Sequence, residues 1–483
     1  MQLDARARWL ALYVLCLGTL MIVLDSTVVN VALPSIREDL GFSESSLAWV
    51  VNAYLLTYGG LLLLGGRLGD LFGQRRLFLL GIGLFTTASL VCGLASTQGF
   101  LIAARAIQGV GGAVASAVSL SLIVNLFSEA GDRAKAMGVF GFVAAGGGSI
   151  GVVLGGVLTD SLDWHWIFLI NVPIGVLVVA LSLRLLPQTP GQRLSERLDV
   201  AGAVTITTAL ILAVYAIVNG EREGWGSLQT LGLLGISLAL LAGFLALESR
   251  VAAPIMPLRL FRSRNVATSN GVAVLWAAAM FAWFFLSALY LQLVLGYSPL
   301  EVGLAFLPAT AIMGGFSLGL SAKLVMRFGA RTPLVTGLTL AAAGLLLFAR
   351  APVDGSYVVD VLPSMILLGC GAGMAFNPLL LAAMGDVEPS ESGLASGMVN
   401  TSFMMGGALG LAILASLAAA RTSSLRDSGE GLEEALTGGY HTAFLVGAAF
   451  AIVAAALGGT LLRGGMPAAE PVGQEREGVE LGA

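Results

Sequence analysis

The amino-acid sequence predicts an all-α, polytopic membrane protein of fourteen spanning helices, arranged as two six-helix bundles plus two extra central helices. Three observations carry this reading. Of the 483 residues, 57% are hydrophobic and 11% are charged, whereas soluble domains carry about 25% charged residues. The mean hydropathy of +0.90 excludes low-complexity disorder as the reason for the 64 glycines; glycine is common where membrane helices pack closely. Finally, apolar runs of spanning length recur along the whole chain. Together these exclude a secreted domain, a cytosolic enzyme and a nucleic-acid binder, since the charges are too few to cover a soluble surface.

The runs fall at roughly 10–33, 45–65, 77–97, 99–124, 136–158, 166–186, 199–219, 229–248, 267–291, 300–321, 334–350, 362–383, 393–419 and 441–462. Each is about long enough to cross the hydrocarbon of a bilayer. Helix is the default because a backbone amide in lipid needs a partner within its own segment. The first run is too long for the apolar stretch of a signal peptide and lacks a cleavage site, so it is expected to remain. Cys16, Cys92 and Cys370 fall singly inside apolar runs, with neither metal-ligand nor disulfide spacing.

An even number of spans puts both termini on one face. Nineteen Lys and Arg lie on that face and five on the other, with Arg105 left inside the membrane. Basic loops stay on the cytoplasmic side, so both termini are expected to be cytoplasmic, in the cell (plasma) membrane. The loop GRLGDLFGQRRL (66–77) recurs as AKLVMRFGARTP (322–333), 256 positions later. Eight spans separate the two loops, which gives an N-terminal bundle (1–187), two extra spans with linkers (188–265), a C-terminal bundle (266–463) and a disordered cytoplasmic tail (464–483). Repeated bundles with a site between them describe many secondary transporters. No GxxxxGK[ST] phosphate loop occurs, so transport would draw on an ion or substrate gradient. No cofactor and no metal are expected, and a monomer is.

Ionisable groups deep inside a span cost at least about 2.5–3.5 kcal/mol and tend to be functional. Two stand out, Asp25 and Arg105. At about 1.5 Å per residue they lie roughly 12 Å and 9 Å below the same face. Similar depth and opposite sign suggest that Asp25 binds and releases a proton while Arg105 favours its release. A permanent ion pair joining two helices is the alternative.

LDSTVVNVALP (24–34), the loop GRLGDLFGQRRL, LIAARAIQGVGGA (101–113) and a glycine ladder in the fifth run occur in this order. In this the chain resembles the major facilitator superfamily, and within it the fourteen-helix drug:proton antiporters, over essentially its whole length. The resemblance implies the major facilitator fold and proton-coupled export of small amphipathic or cationic compounds by alternating access. A dedicated exporter of one metabolite, antibiotic or lipid would share that mechanism. Residue by residue, it makes Asp25 and Arg105 the proton-coupling pair, with Gln108 and Gly109 completing the motif of the fourth run. Gly66, Gly69, Asp70, Gly73 and Arg75 match the conformational-gate loop, which locks helix 2 against helix 11 in the outward-facing state; Leu71 and Gln74 replace basic residues there. Gly138, Gly147, Gly151, Gly155 and Gly156 match the antiporter ladder, with Val152 in place of a proline. Helices 1, 4, 9 and 12 are expected to line the cavity, through Asn30, Trp276, Trp283, Tyr290, Gln292 and Asn377. In the thirteenth run, apolar Phe403 to Met405 stand where relatives carry Arg-Gln, which tilts the pocket toward lipophilic substrates.

Overall fold

Apolar runs that must satisfy their own backbone become long helices, and fourteen are present among the described residues. The computed structural model describes residues 4–127, 129–188, 198–251, 254–388 and 391–463; the tail at 464–483 lies outside the described residues. In chain order the helices are α1 (Ala5–Leu40), α2 (Trp49–Phe72), α3 (Gln74–Cys92), α4 (Gln98–Leu126), α5 (Ala130–Ser161), α6 (Asn171–Leu185) and α7 (Val200–Glu223). They continue as α8 (Leu228–Glu248), α9 (Arg264–Leu293), α10 (Pro299–Gly315), α11 (Arg331–Phe348), α12 (Leu362–Met384), α13 (Ser392–Asp427) and α14 (Leu432–Leu461). α10 continues through a π-helical turn, Phe316–Leu320, into Ser321–Phe328.

Polar residues at the helix starts explain several boundaries. Asp4 accepts from the Ala7 amide at 2.7 Å to begin α1, and Ser298 with Glu301 forms a capping box at α10. Such caps satisfy amides that the helix itself leaves unbonded. α1 runs past the expected end at 33 to Leu40, stopping at Gly41 with φ 70°, a left-handed conformation that glycine adopts without strain.

The halves pack alike. In the first, α4 is packed on α2 and α3, α5 on α1, and α6 on α1 and α3; in the second, α12 is packed on α10 and α11, α13 on α9, and α14 on α9 and α11. A methyl group on Gly81 of α3 would lie 2.6 Å from the Ala115 nitrogen of α4, and one on Gly337 of α11 would lie 2.7 Å from the Gly371 oxygen of α12. Glycine therefore permits the same close crossing in both halves. The halves meet where α5 packs on α10 and α2 on α13, while α7 packs on α2 and α13, and α8 on α7.

The α5–α10 seam is tightest at one end. Away from the termini, Gly156 of α5 meets the Pro299 backbone of α10, and Gly303 of α10 meets the Val152 carbonyl. Nearer the terminal face, Gly138, Gly141 and Gly146 of α5, and Gly314 and Gly315 of α10, face open space. On the closed side Gln292 of α9 also donates to the Val31 carbonyl of α1 at 2.9 Å. The interior is thus sealed on the side away from the termini.

Candidate functional site

Inside the first half, four helices bring polar side chains into an otherwise apolar core. Asp25 of α1 is 0% exposed and Arg105 of α4 is 1% exposed. The Arg105 guanidinium donates to Asp25 Oδ2 at 2.5 Å and to Gln108 Oε1 at 2.7 Å through the same nitrogen, and its Nε donates to the Val50 carbonyl of α2 at 3.0 Å. Its face stacks over Tyr54, 4.5 Å from the ring centroid. Asp25 Oδ1 accepts from Gln108 Nε2 at 2.7 Å and from Asn171 Nδ2 of α6 at 3.0 Å. Ser89 of α3 accepts from Gln108 and Asn171 and donates to the Phe168 carbonyl at 2.9 Å. Both oxygens of Asp25 thus face donors, Arg105 at Oδ2 and Gln108 and Asn171 at Oδ1.

Local packing sets this geometry. A side chain at Gly109 would collide with the Tyr54 carbonyl of α2 at 2.5 Å, and Thr57 of α2 donates to the Ala106 carbonyl of α4 at 2.8 Å. α4 therefore lies close enough to α2 for Arg105 to reach Val50. The pairing of Asp25 with Arg105 is the one expected from depth and sign. Ser89 and Asn171 were not singled out from the sequence, although Asn171 stands as a lone amide within WIFLINVP (166–173), the signal that could have marked it.

In this conformation the gate loop holds the last helix of its own half. Gly73 takes φ 91° and Gly329, its repeat, φ 72°. After them, Arg75 donates to the Leu183 carbonyl near the end of α6, and Arg331 donates to the Gly459 carbonyl near the end of α14. Asp70 is exposed and a side chain at Gly66 would meet open space, while Gly69 lies against Val118 of α4. The lock of α2 on α11 is an expectation for the outward-facing state; here Arg75 and Arg331 each hold the last helix of their own half.

The glycine ladder divides along α5. Gly147, Gly151 and Gly155 lie against Val23, Thr27 and Val28 of α1, and Gly156 lies against α10. Gly138 has no neighbour, so the spacing of the ladder does not make one continuous packed stripe.

Between the halves lies a cavity of about 460 Å³. α1 contributes Val23, Ser26, Thr27 and Asn30, and α5 contributes Gly141 and Gly148. The second half contributes Trp276, Met280, Phe281 and Phe284 from α9, with Thr310 and Met313 from α10; α12 adds Phe376 and Asn377, and α13 adds Phe403 and Met404. Asn30, Trp276 and Asn377 stand where expected. The others do not: the Tyr290 hydroxyl donates to the Pro352 carbonyl, Gln292 bridges to α1, and Trp283 is buried against Phe284 and Phe306. α4 supplies no lining residue, and α5, α10 and α13 supply residues instead.

Comparison with known proteins gives the same picture. The family description "Major Facilitator Superfamily" matches residues 15–411. The chain is 40% identical over 449 residues to the puromycin resistance protein of Streptomyces alboniger, covering 92% of this chain and 88% of that one. It is 40% identical over 419 residues to the cephamycin export protein of Amycolatopsis lactamdurans, covering 86% and 85%. Among solved structures, a bacterial homolog of the human lysosomal transporter Spinster, in an inward-facing and occupied conformation, aligns with a TM-score of 0.69 at 16% identity, over 94% of this chain and 97% of that one.

Proposed function

Because this chain belongs to the major facilitator superfamily, we propose that it exports small amphipathic compounds across the cell membrane in exchange for protons, as a monomer with both termini in the cytoplasm. The relatives named for antibiotic resistance and export support the direction of transport. The observation that carries the coupling is the position of Asp25: sealed in the first half, it is followed directly in α1 by Ser26 and Thr27, which line the cavity. One helix therefore carries both the titratable group and part of the substrate wall.

In this conformation Arg105, Gln108 and Asn171 all donate to Asp25. Protonation removes the charge that Arg105 balances, and Arg105 then keeps the Val50 carbonyl, Gln108 and the Tyr54 face. The two protonation states thus place different demands on α1, α4 and α6. A shift of α1 changes the cavity wall and the α1–α5 contact at Gly147, Gly151 and Gly155 together. Gln292, bridging to Val31, must release for the other face to open. One proton moving through 100 mV supplies about 2.3 kcal/mol, which sustains roughly a 40-fold gradient of an uncharged compound before any pH difference is added.

The test is substrate-induced proton movement in vesicles, with puromycin as the first probe. Vesicles carrying the wild type should release protons when the compound is added outside, and Asp25→Asn should abolish this while leaving the protein folded. Unchanged proton movement in the variant rejects the coupling role.

A further inference from the structure

Resting on the reading that this cavity is the transport site, we infer that it selects substrates that are uncharged when bound and that present a hydrogen-bond acceptor to Asn377. Among the described residues lining the cavity, none is ionisable. The nearest carboxylate in sequence, Asp25, is fully enclosed and already paired with Arg105, so it offers a bound cation neither contact nor an unbalanced charge. Trp276, Phe281, Phe284, Phe376 and Phe403 present aromatic surface, and aromatic faces do attract cations. That attraction is smaller than the cost of taking a cation from water into an enclosure without a counter-charge. Anions fare no better, since no basic side chain lines the wall.

The polar groups that remain fix what the substrate must offer. Ser26 donates to the Val23 carbonyl at 2.8 Å, Thr27 to the Leu24 carbonyl at 3.0 Å and Thr310 to the Phe306 carbonyl at 3.2 Å. These hydroxyl protons are occupied within their own helices. The Asn30 amide is turned to the Ser26 carbonyl. Trp276 is fully buried and its indole N–H is enclosed, so it offers the cavity an aromatic wall and no donor. Asn377, partly exposed on the cavity wall, makes no side-chain hydrogen bond among the described residues. A polar group left without a partner in apolar surroundings is costly, and a carbonyl or ether oxygen on the substrate satisfies the Asn377 Nδ2. Asn377 belongs to the second half, so the acceptor is read on the side of the cavity opposite α1.

Equilibrium dialysis of protein-loaded against empty nanodiscs tests this and subtracts partitioning into lipid. The probes are Nile red, uncharged with a carbonyl acceptor, and ethidium, a permanent cation of similar aromatic extent. Nile red should bind at least about tenfold more tightly than ethidium. Asn377→Leu should weaken Nile red by about fivefold to tenfold, and Asn377→Asp should raise ethidium affinity by supplying the missing counter-charge. Equal binding of the two probes, tighter ethidium, or no binding of Nile red overturns the inference; if the variants do not fold, the wild-type ratio decides alone. Binding is read without any proton gradient, so loss of the coupling role would leave this outcome standing, and the reverse holds too.

Discussion

The two halves of the molecule share a backbone plan and differ in chemistry. Gly111 of α4 crosses α3 as Gly371 of α12 crosses α11, each with room for no side chain. Six residues before Gly111 stands Arg105, and three before it Gln108. Six residues before Gly371 stands Met365, and three before it Leu368, both buried in apolar surroundings. The loops repeat as well, with Arg75 and Arg331 each tied to the last helix of its half. What differs is the content of equivalent positions: the first half encloses an ion pair, and the second supplies the large aromatic residues of the cavity. Repetition thus fixes the frame, while the enclosed Asp25–Arg105 pair lies in one half and the cavity surface is drawn mostly from the other.

The sharpest way to break this comparison is to exchange the equivalent side chains. Arg105→Met leaves the Asp25 carboxylate buried without its counter-charge, which costs about 3–5 kcal/mol of stability. Met365→Leu keeps volume and polarity and costs less than about 1.5 kcal/mol. Thermal unfolding in detergent should separate the two clearly. Similar small losses would mean that the ion pair contributes no more to the fold than apolar packing does in the other half.

The sequence made the frame legible because spanning length and loop charge depend on residue type and position along the chain. Depth and sign were enough to pair Asp25 with Arg105. What depends on azimuth was not legible. Successive residues of a helix point about 100° apart, so Asp25 faces the core of its half while Ser26 and Thr27 face the cavity. The same uncertainty explains Tyr290, Trp283 and Gln292: a polar or aromatic residue on α9 marks the helix without marking the face. Tyr290 and Gln292 spend their polar atoms on the carbonyls of Pro352 and Val31, which lie 62 and 261 positions away in sequence and could not be foreseen from spacing.

A smaller effect tests the symmetry itself. A methyl group at Gly111 would lie 2.5 Å from the Phe85 nitrogen, and one at Gly371 would lie 2.7 Å from the Ala341 nitrogen. Backbone atoms cannot swing aside as side chains can, so Gly111→Ala and Gly371→Ala should each cost about 1–3 kcal/mol and agree within about 1 kcal/mol. The readout is again the unfolding midpoint. A loss confined to one half would show that the common crossing has a structural role in that half alone.

The smallest effect divides the glycine ladder of α5. At Gly155 an added methyl would approach the Val28 carbonyl to 2.8 Å and its α-carbon to 2.9 Å, so Gly155→Ala forces α5 away from α1 and should cost about 1–3 kcal/mol. Gly138 faces open space, and there alanine meets no obstacle and restricts the unfolded chain more than glycine does. Gly138→Ala should therefore be neutral or stabilise the protein by up to about 1 kcal/mol. Its effect on transport is the more telling measurement. If Gly138 is free space in every conformation, transport is unchanged; if α5 closes on α10 at the terminal face during the cycle, alanine at 138 slows transport without lowering the unfolding midpoint, because the collision arises only in the closed state.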